Sequence, residues 1–354
     1  MKRFALVVAS VVALGAAGTS VLPRGIDALA LVTGPRDEQA VAEYRLSSRS
    51  PGQYEVEIEA ALKARDEELA QSLVDLASER QIVLSTGLIV QVQRAKTDAD
   101  ARAIEDAWEG FVSGHAPNES ALAGAVAADL SGFGDLRDLY TQAERYAADE
   151  EVDTFIVGLA AVGIGLTVAT IASDGLLFSA KSGVSTLKAA KRAGRISPAL
   201  LKHVGVMAAD AVDTRAFGAM ASSLKGLDLV AARAAANTLV RPQALKTLGK
   251  LGSDVAEIGT RVGYRGTLQT LAAAESAEDV ARVSKLSARF GKATRAVLVM
   301  GGMALTFAST VTSATLWLIG MALWIAALLF TLTRLSFRVG RWLWPAQRLR
   351  IQAA

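Results

Sequence analysis

The alternation of apolar and polar positions divides this chain before any residue chemistry is considered. Three uncharged apolar runs stand out, at residues 4–22, 154–173 and 296–333. The first two are 19 and 20 residues long, close to the roughly 20 that cross about 30 Å of hydrocarbon. The third has 38 residues. As one helix it would measure about 57 Å, well beyond the hydrocarbon core. Two antiparallel helices of about 17–19 residues fit better. The polar stretch from Ser309 to Thr315 is then the expected bend, and one long tilted helix is the alternative.

Between these runs the apolar spacing is helical. Ile58, Leu62, Leu69, Leu73, Leu76 and Val83 recur at intervals of 4, 7, 4, 3 and 7, predicting one amphipathic stretch over 55–84. Ile104, Trp108, Phe111 and Val112 predict another helix over 98–112. Gly114 to Ser120 reads as a loop, with Asn118 or Ser120 able to cap the next helix. Helix is expected again over 120–150, broken near Ser131–Gly134, with Asp135 capping 136–148. Ser197–Pro198 reads as a helix start and Arg241–Pro242 as a break. Ser276 and Asp279 form a capping pair ahead of Val280, Val283, Leu286 and Phe290. The fold class expected is all-α, with no strand pattern to compete.

Charge changes this picture. The chain carries 38 Lys/Arg and 35 Asp/Glu, but the signs are segregated. Residues 23–153 hold 12 basic and 26 acidic side chains; residues 180–295 hold 19 and 8. Residues 334–354 hold five arginines and no acid. Basic residues near a span stay on the cytoplasmic side. Lys2 and Arg3, the group Lys181, Lys188, Lys191, Arg192 and Arg195, and Arg334, Arg338 and Arg341 are therefore expected inside, and the acidic segment outside. Arg289, Lys292 and Arg295 also precede the third run, so both its flanks favour one side and an even number of crossings. Trp342 and Trp344, among arginines, suit an interfacial anchor.

The resulting expectation is an integral membrane protein of the cell inner membrane. Residues 1–22 form a signal peptide or signal-anchor helix; the small residues Gly15 to Gly18 suit a signal peptide, and Ala28-Leu29-Ala30 offers a second small-x-small site. Residues 23–153 form an acidic exported helical domain. Residues 154–174 form a further transmembrane helix, in which Ala161 and Gly165 permit close helix approach; an Ala-rich core helix of a soluble bundle has the same pattern. Residues 175–295 form a basic, Ala-rich cytoplasmic region, 296–333 a transmembrane hairpin and 334–354 a basic cytoplasmic tail. The bilayer is the expected partner, with anionic lipid headgroups at the basic segments, together with protein partners of unspecified kind. Nucleic acid is not expected: only Phe217, Tyr264 and Phe290 supply aromatic rings between Lys181 and Arg295.

Catalytic chemistry finds little support. With no cysteine and two histidines, His115 and His203, thiolate metal sites, disulfides and cysteine nucleophiles are excluded. No phosphate-binding loop, metalloprotease helix or nucleophile elbow occurs; Gly158, Gly163 and Gly165 lie inside an apolar run. Asp98 with Asp100 and Asp135 with Asp138 are the carboxylate pairs an acid–base or metal site would draw on, but neither has calcium-loop spacing. His115 reads as a surface residue. No catalytic residue, metal or cofactor is assigned. The expected function is non-enzymatic, an envelope interaction or scaffold protein. Two alternatives remain open. A membrane-bound enzyme would use an unidentified carboxylate site. A pore-forming protein is the other: a 38-residue uncharged hairpin after a basic helical region is similar in architecture to the hydrophobic hairpin of pore-forming colicins, over residues 180–340.

Overall fold

The computed structural model describes residues 2–34, 37–113, 133–172, 177–225, 239–302 and 307–343. Every regular element among them is helical, with an isolated antiparallel bridge between Val212 and Val240. The chain forms two compact units. One comprises residues 1–49 and 305–354, the other 50–304.

The first unit contains α1 (Lys2–Thr33), α2 (Glu38–Ser47) and α14 (Phe307–Leu343). α1 runs past residue 22, carrying Pro23 inside it. Asp37 caps α2 by accepting a bond from the Ala40 N–H, which satisfies a donor the first turn leaves open. α14 is continuous through Ser309–Thr315, so the expected bend is not formed. That stretch has no Gly or Pro, and its hydroxyls can be satisfied within the helix, as where Thr315 Oγ1 donates to the Val311 carbonyl. The 38-residue run instead divides: its start, in α13 (Thr294–Gly301), belongs to the second unit.

The second unit holds the remaining helices: α3 (Pro51–Lys63), α4 (Glu67–Glu79), α5 (Thr86–Ser113), α6 (Phe133–Ala147), α7 (Thr154–Ala172), α8 (Phe178–Arg192), α9 (Pro198–Ala211), α10 (Thr214–Lys225), α11 (Pro242–Ala273), α12 (Ala277–Phe290) and α13. The stripe expected over 55–84 is cut in two. Arg65 at φ +54° turns the chain between α3 and α4, and Asp66 caps α4. Ile58, Leu73 and Leu76 are buried, whereas Val83 lies exposed beyond α4. Three sequence-read boundaries hold: Ser197 caps α9, α11 begins at Pro242, and Ser276 with Asp279 forms the capping box of α12. α6 begins at Phe133, so Asp135 lies within its first turn rather than capping it. The Gly114–Ser120 loop, with His115 and its candidate caps, lies outside the described residues, as does Trp344.

α7, expected from sequence as the second crossing, is the interior helix of this unit. α6, α8, α9 and α11 pack on it, and Phe155 to Val162 are buried. An evenly apolar helix needs cover on every side; these four neighbours cover residues 155–163, while Val168 near the other end is exposed. Glycines set the close crossings. A Cβ on Gly158 would lie 2.3 Å from the Ala208 carbonyl oxygen of α9. A Cβ on Gly183 of α8 would lie 1.7 Å from that of Gly252 on α11. α11 itself bends at Gly263, whose φ of +81° side chains rarely adopt.

Segments expected on opposite faces of a bilayer therefore fold together. Residues of 50–113 and of 180–295 share one compact unit. Opposite charges meet inside it, which gives the segregation of sign along the chain an intramolecular role.

Candidate functional site

In the first unit α1 and α14 form an antiparallel pair. Gly18 faces Trp324 and Gly25 faces Met321, so numbering rises in one helix as it falls in the other. The glycines make the contact possible: a Cβ on Gly18 would be 2.6 Å from the indole Cζ2 of Trp324. That approach brings Trp324 Nε1 within 2.9 Å of the Leu14 carbonyl, to which it donates. Arg24 lies over the ring of Trp317 at 5.0 Å, a cation–π contact. At the same end of the pair, Arg45 of α2 donates from Nε to Thr310 Oγ1 at 3.0 Å.

The outer faces of this pair are apolar and uncovered. Leu316, Ile319, Leu323, Ile325, Leu329 and Phe330 of α14 are exposed, as are Val12, Ile26 and Leu29 of α1. Among the described residues, 9–33 and 310–337 are the two stretches of helix long and apolar enough to cross a membrane. None of the apolar window of α14 is buried. α7 is as apolar, but its residues 155–163 are enclosed. Moving one Leu, Ile or Phe side chain out of water is worth roughly 1.5–3 kcal/mol. Half a dozen of them on α14 amount to as much as the stability of a typical domain, about 5–15 kcal/mol.

In the second unit the charges that sequence reading assigned to topology make a buried cluster. Asp135 and Asp138 project from α6; Lys181, Lys188 and Arg192, spaced by 7 and 4, form one stripe of α8. Lys188 is fully buried, and bonds both Asp135 and, at 3.1 Å, Asp138. Lys181 is 2% exposed and uses three acceptors: Asp135 Oδ2 at 3.1 Å, the Gly163 carbonyl at 3.3 Å and Thr167 Oγ1. Arg192 meets Asp138 Oδ1 at 2.5 Å. Gly163 of α7 makes room for the Asp135 carboxylate, whose oxygens lie 2.5 Å from where a Cβ would stand. Burial pushes the Asp135 carboxyl above its ordinary range, against the opposing pull of Lys188 and Lys181. Nearby, Lys191 pairs with Asp153 and sits 4.7 Å above the ring of Phe155.

A second tie joins α4 to α13. Arg295, 4% exposed, grips both oxygens of Asp66 and donates to Gln269 at 3.1 Å. Burial alone would raise the Asp66 carboxyl, but the bond and charge of Arg295, joined by the Leu69 N–H and the charge of Arg265, hold it below the usual range. Ser72 completes the join: its hydroxyl donates to the Lys292 carbonyl and accepts from the Ala296 N–H. Arg295, read from sequence as a flank of a membrane hairpin, is thus a buried cross-link.

Of the carboxylate pairs considered from sequence, Asp135 and Asp138 do converge, but on three cations. Asp98 lies on α5, and the side chain of Asp100 falls outside the described residues. Among the described residues no group of three or more His, Asp or Glu side chains could hold a metal ion. His203 is exposed on α9. What sequence reading missed was complementarity: a pair of acids at i, i+3 and a basic stripe of matching face, whose first members lie 46 residues apart.

No family model, curated protein or solved structure matches this chain.

Proposed function

We propose that this is a non-enzymatic integral membrane protein, held in the cell inner membrane by α1 and α14 as an antiparallel transmembrane pair, with residues 50–304 displayed outside as a helical interaction or scaffold domain. The observation that carries this reading is the contrast between three apolar helices: α7 is enclosed over residues 155–163, while α1 and α14 leave their apolar faces bare. Charge supports its direction. The antiparallel pairing brings Lys2 and Arg3 to the same end as Arg334, Arg338 and Arg341, and that end is retained inside. At the other end, residues 23–49 carry four arginines balanced by four acids. The segment from 175 to 295 then lies outside with the acidic one, bonded to it. Residues 1–22 act as a retained anchor, because Leu14 and Gly18 are part of the helix contact. The carboxylates that a reaction would need are committed to Lys181, Lys188 and Arg192, which supports a structural role for them.

The test is extraction. The full-length protein stays with carbonate-washed membranes, and a variant lacking 307–354 is released more readily. Complete release of the intact protein by carbonate contradicts the proposal.

A further inference from the structure

The α1–α14 pair is longer than a bilayer is thick. Its two stretches apolar enough to cross, 9–33 and 310–337, have 25 and 28 residues, or about 38 and 42 Å of helix, against about 30 Å of hydrocarbon. The usual tilt of about 20° shortens the longer one only to about 40 Å. Part of each helix therefore lies outside the hydrocarbon, and charge selects which part. Arg24 and Asp27 stand one turn apart within the apolar stretch of α1, Arg24 exposed and Asp27 half-buried. A bilayer centred on the two stretches would hold both in hydrocarbon, where a charge facing lipid is costly. Across the pair, Arg24 lies over Trp317, and indole rings settle at the membrane–water interface.

We propose that Arg24, Asp27 and Trp317 form a collar against the phospholipid headgroups at the end opposite Lys2 and Arg3, and set the depth of the pair. Residues 4–23 and, alongside them, about 318–337 lie in hydrocarbon; 24–33 and 307–317 stand beyond it. This rests on the membrane reading above and adds a fixed depth to it. The lengths agree: 20 uncharged residues separate Arg3 from Arg24, about 30 Å of helix. With Gly18 level with Trp324 and Arg24 with Trp317, the matching stretch of α14 ends where Arg338 and Arg341 follow, with Arg334 one turn inside. The charged helix α2 is placed accordingly, since Arg45 meets Thr310, about 10 Å further out than Trp317. The middle of the bilayer falls near Leu14, whose carbonyl accepts the Trp324 indole N–H, a donor that lipid could not satisfy.

The chain has no cysteine, so depth can be read from single nitroxides on exposed positions: Val12→Cys, Ile26→Cys, Leu316→Cys and Leu323→Cys. Full-length protein is placed in vesicles of phosphatidylcholine and phosphatidylglycerol. Each label is then scored for collisions with oxygen, which concentrates in hydrocarbon, and with a water-soluble nickel chelate. The labels at 12 and 323 favour oxygen, and those at 26 and 316 favour nickel. Arg24→Leu combined with Asp27→Leu lets the pair sink, moving the label at 316 inward by about one helical turn, roughly 5 Å. Equal depth at 12 and 26 is the result for a bilayer centred on the apolar stretches, and it overturns the proposal. An unmoved label at 316 in the doubly substituted protein also overturns it. Nickel access at all four positions sinks the membrane reading itself, so the two failures are distinct.

Discussion

At Gly163 and Gly183 a missing side chain does the organising. Asp135 reaches Lys181 and Lys188 across the space a Cβ of Gly163 would fill, and α8 meets α11 backbone to backbone at Gly183. Gly183→Ala forces the two backbones apart and is expected to cost at least the roughly 1–3 kcal/mol of an overpacked core, read as a fall in thermal midpoint of the purified protein. The charges tolerate loss no better. Asp135→Asn leaves Lys181 and Lys188 buried with too little counter-charge, and should destabilise by about 3–5 kcal/mol. Replacing the three together by apolar residues of similar size should recover most of that loss. An Asp135→Asn protein as stable as wild type would show that the cluster does not hold α6 to α8.

At the scale of the element, much was readable and one choice was not. The capping box at Ser276 and Asp279 and the start at Ser197–Pro198 are local chemistry, set by side chains within three residues of the backbone groups they satisfy. The all-α character comes from such signals. The fate of α7 is not local. Lipid and an apolar protein interior ask for the same residues, and the distinction lies in partners: the stripe of Lys181, Lys188 and Arg192 fits the acids of α6 only once both helices exist. The α1–α14 contact is likewise hidden, since it joins residues 310 positions apart. The tie between α4 and α13 yields a pH prediction. Asp66 has a carboxyl pKa lowered in the fold, so the folded state binds the proton less readily than the unfolded chain. Its stabilisation is complete above the ordinary carboxylate pKa of about 3.9 and disappears as pH falls through the lowered value. Arg295→Met reduces that acid-dependent component, measured as a smaller drop in thermal midpoint between about pH 6 and about pH 3.

For the whole molecule, the segregation of charge has two uses. In the proposed topology the basic residues beside the terminal helices orient them, while in the second unit basic side chains pair with acidic ones within one fold. A reading that treats every lysine and arginine as a topological marker predicts four crossings; with Asp135 paired to Lys181 and Asp66 to Arg295, two candidate spans remain among the described residues. The same division removes the basis for a pore-forming hairpin, because residues 296–301 are packed in the second unit and Phe307–Leu343 forms one helix.

The absence of cysteine makes the central claim directly measurable. Gln53→Cys and His203→Cys place single thiols on exposed positions of the acidic and basic halves, and a cysteine appended after Ala354 marks the other side. With a membrane-impermeant maleimide on intact cells, the account predicts labelling at 53 and 203 and none at the C-terminus until the membrane is opened. Labelling at 53 with protection at 203 would contradict it, since a membrane would then divide what is here one folded unit.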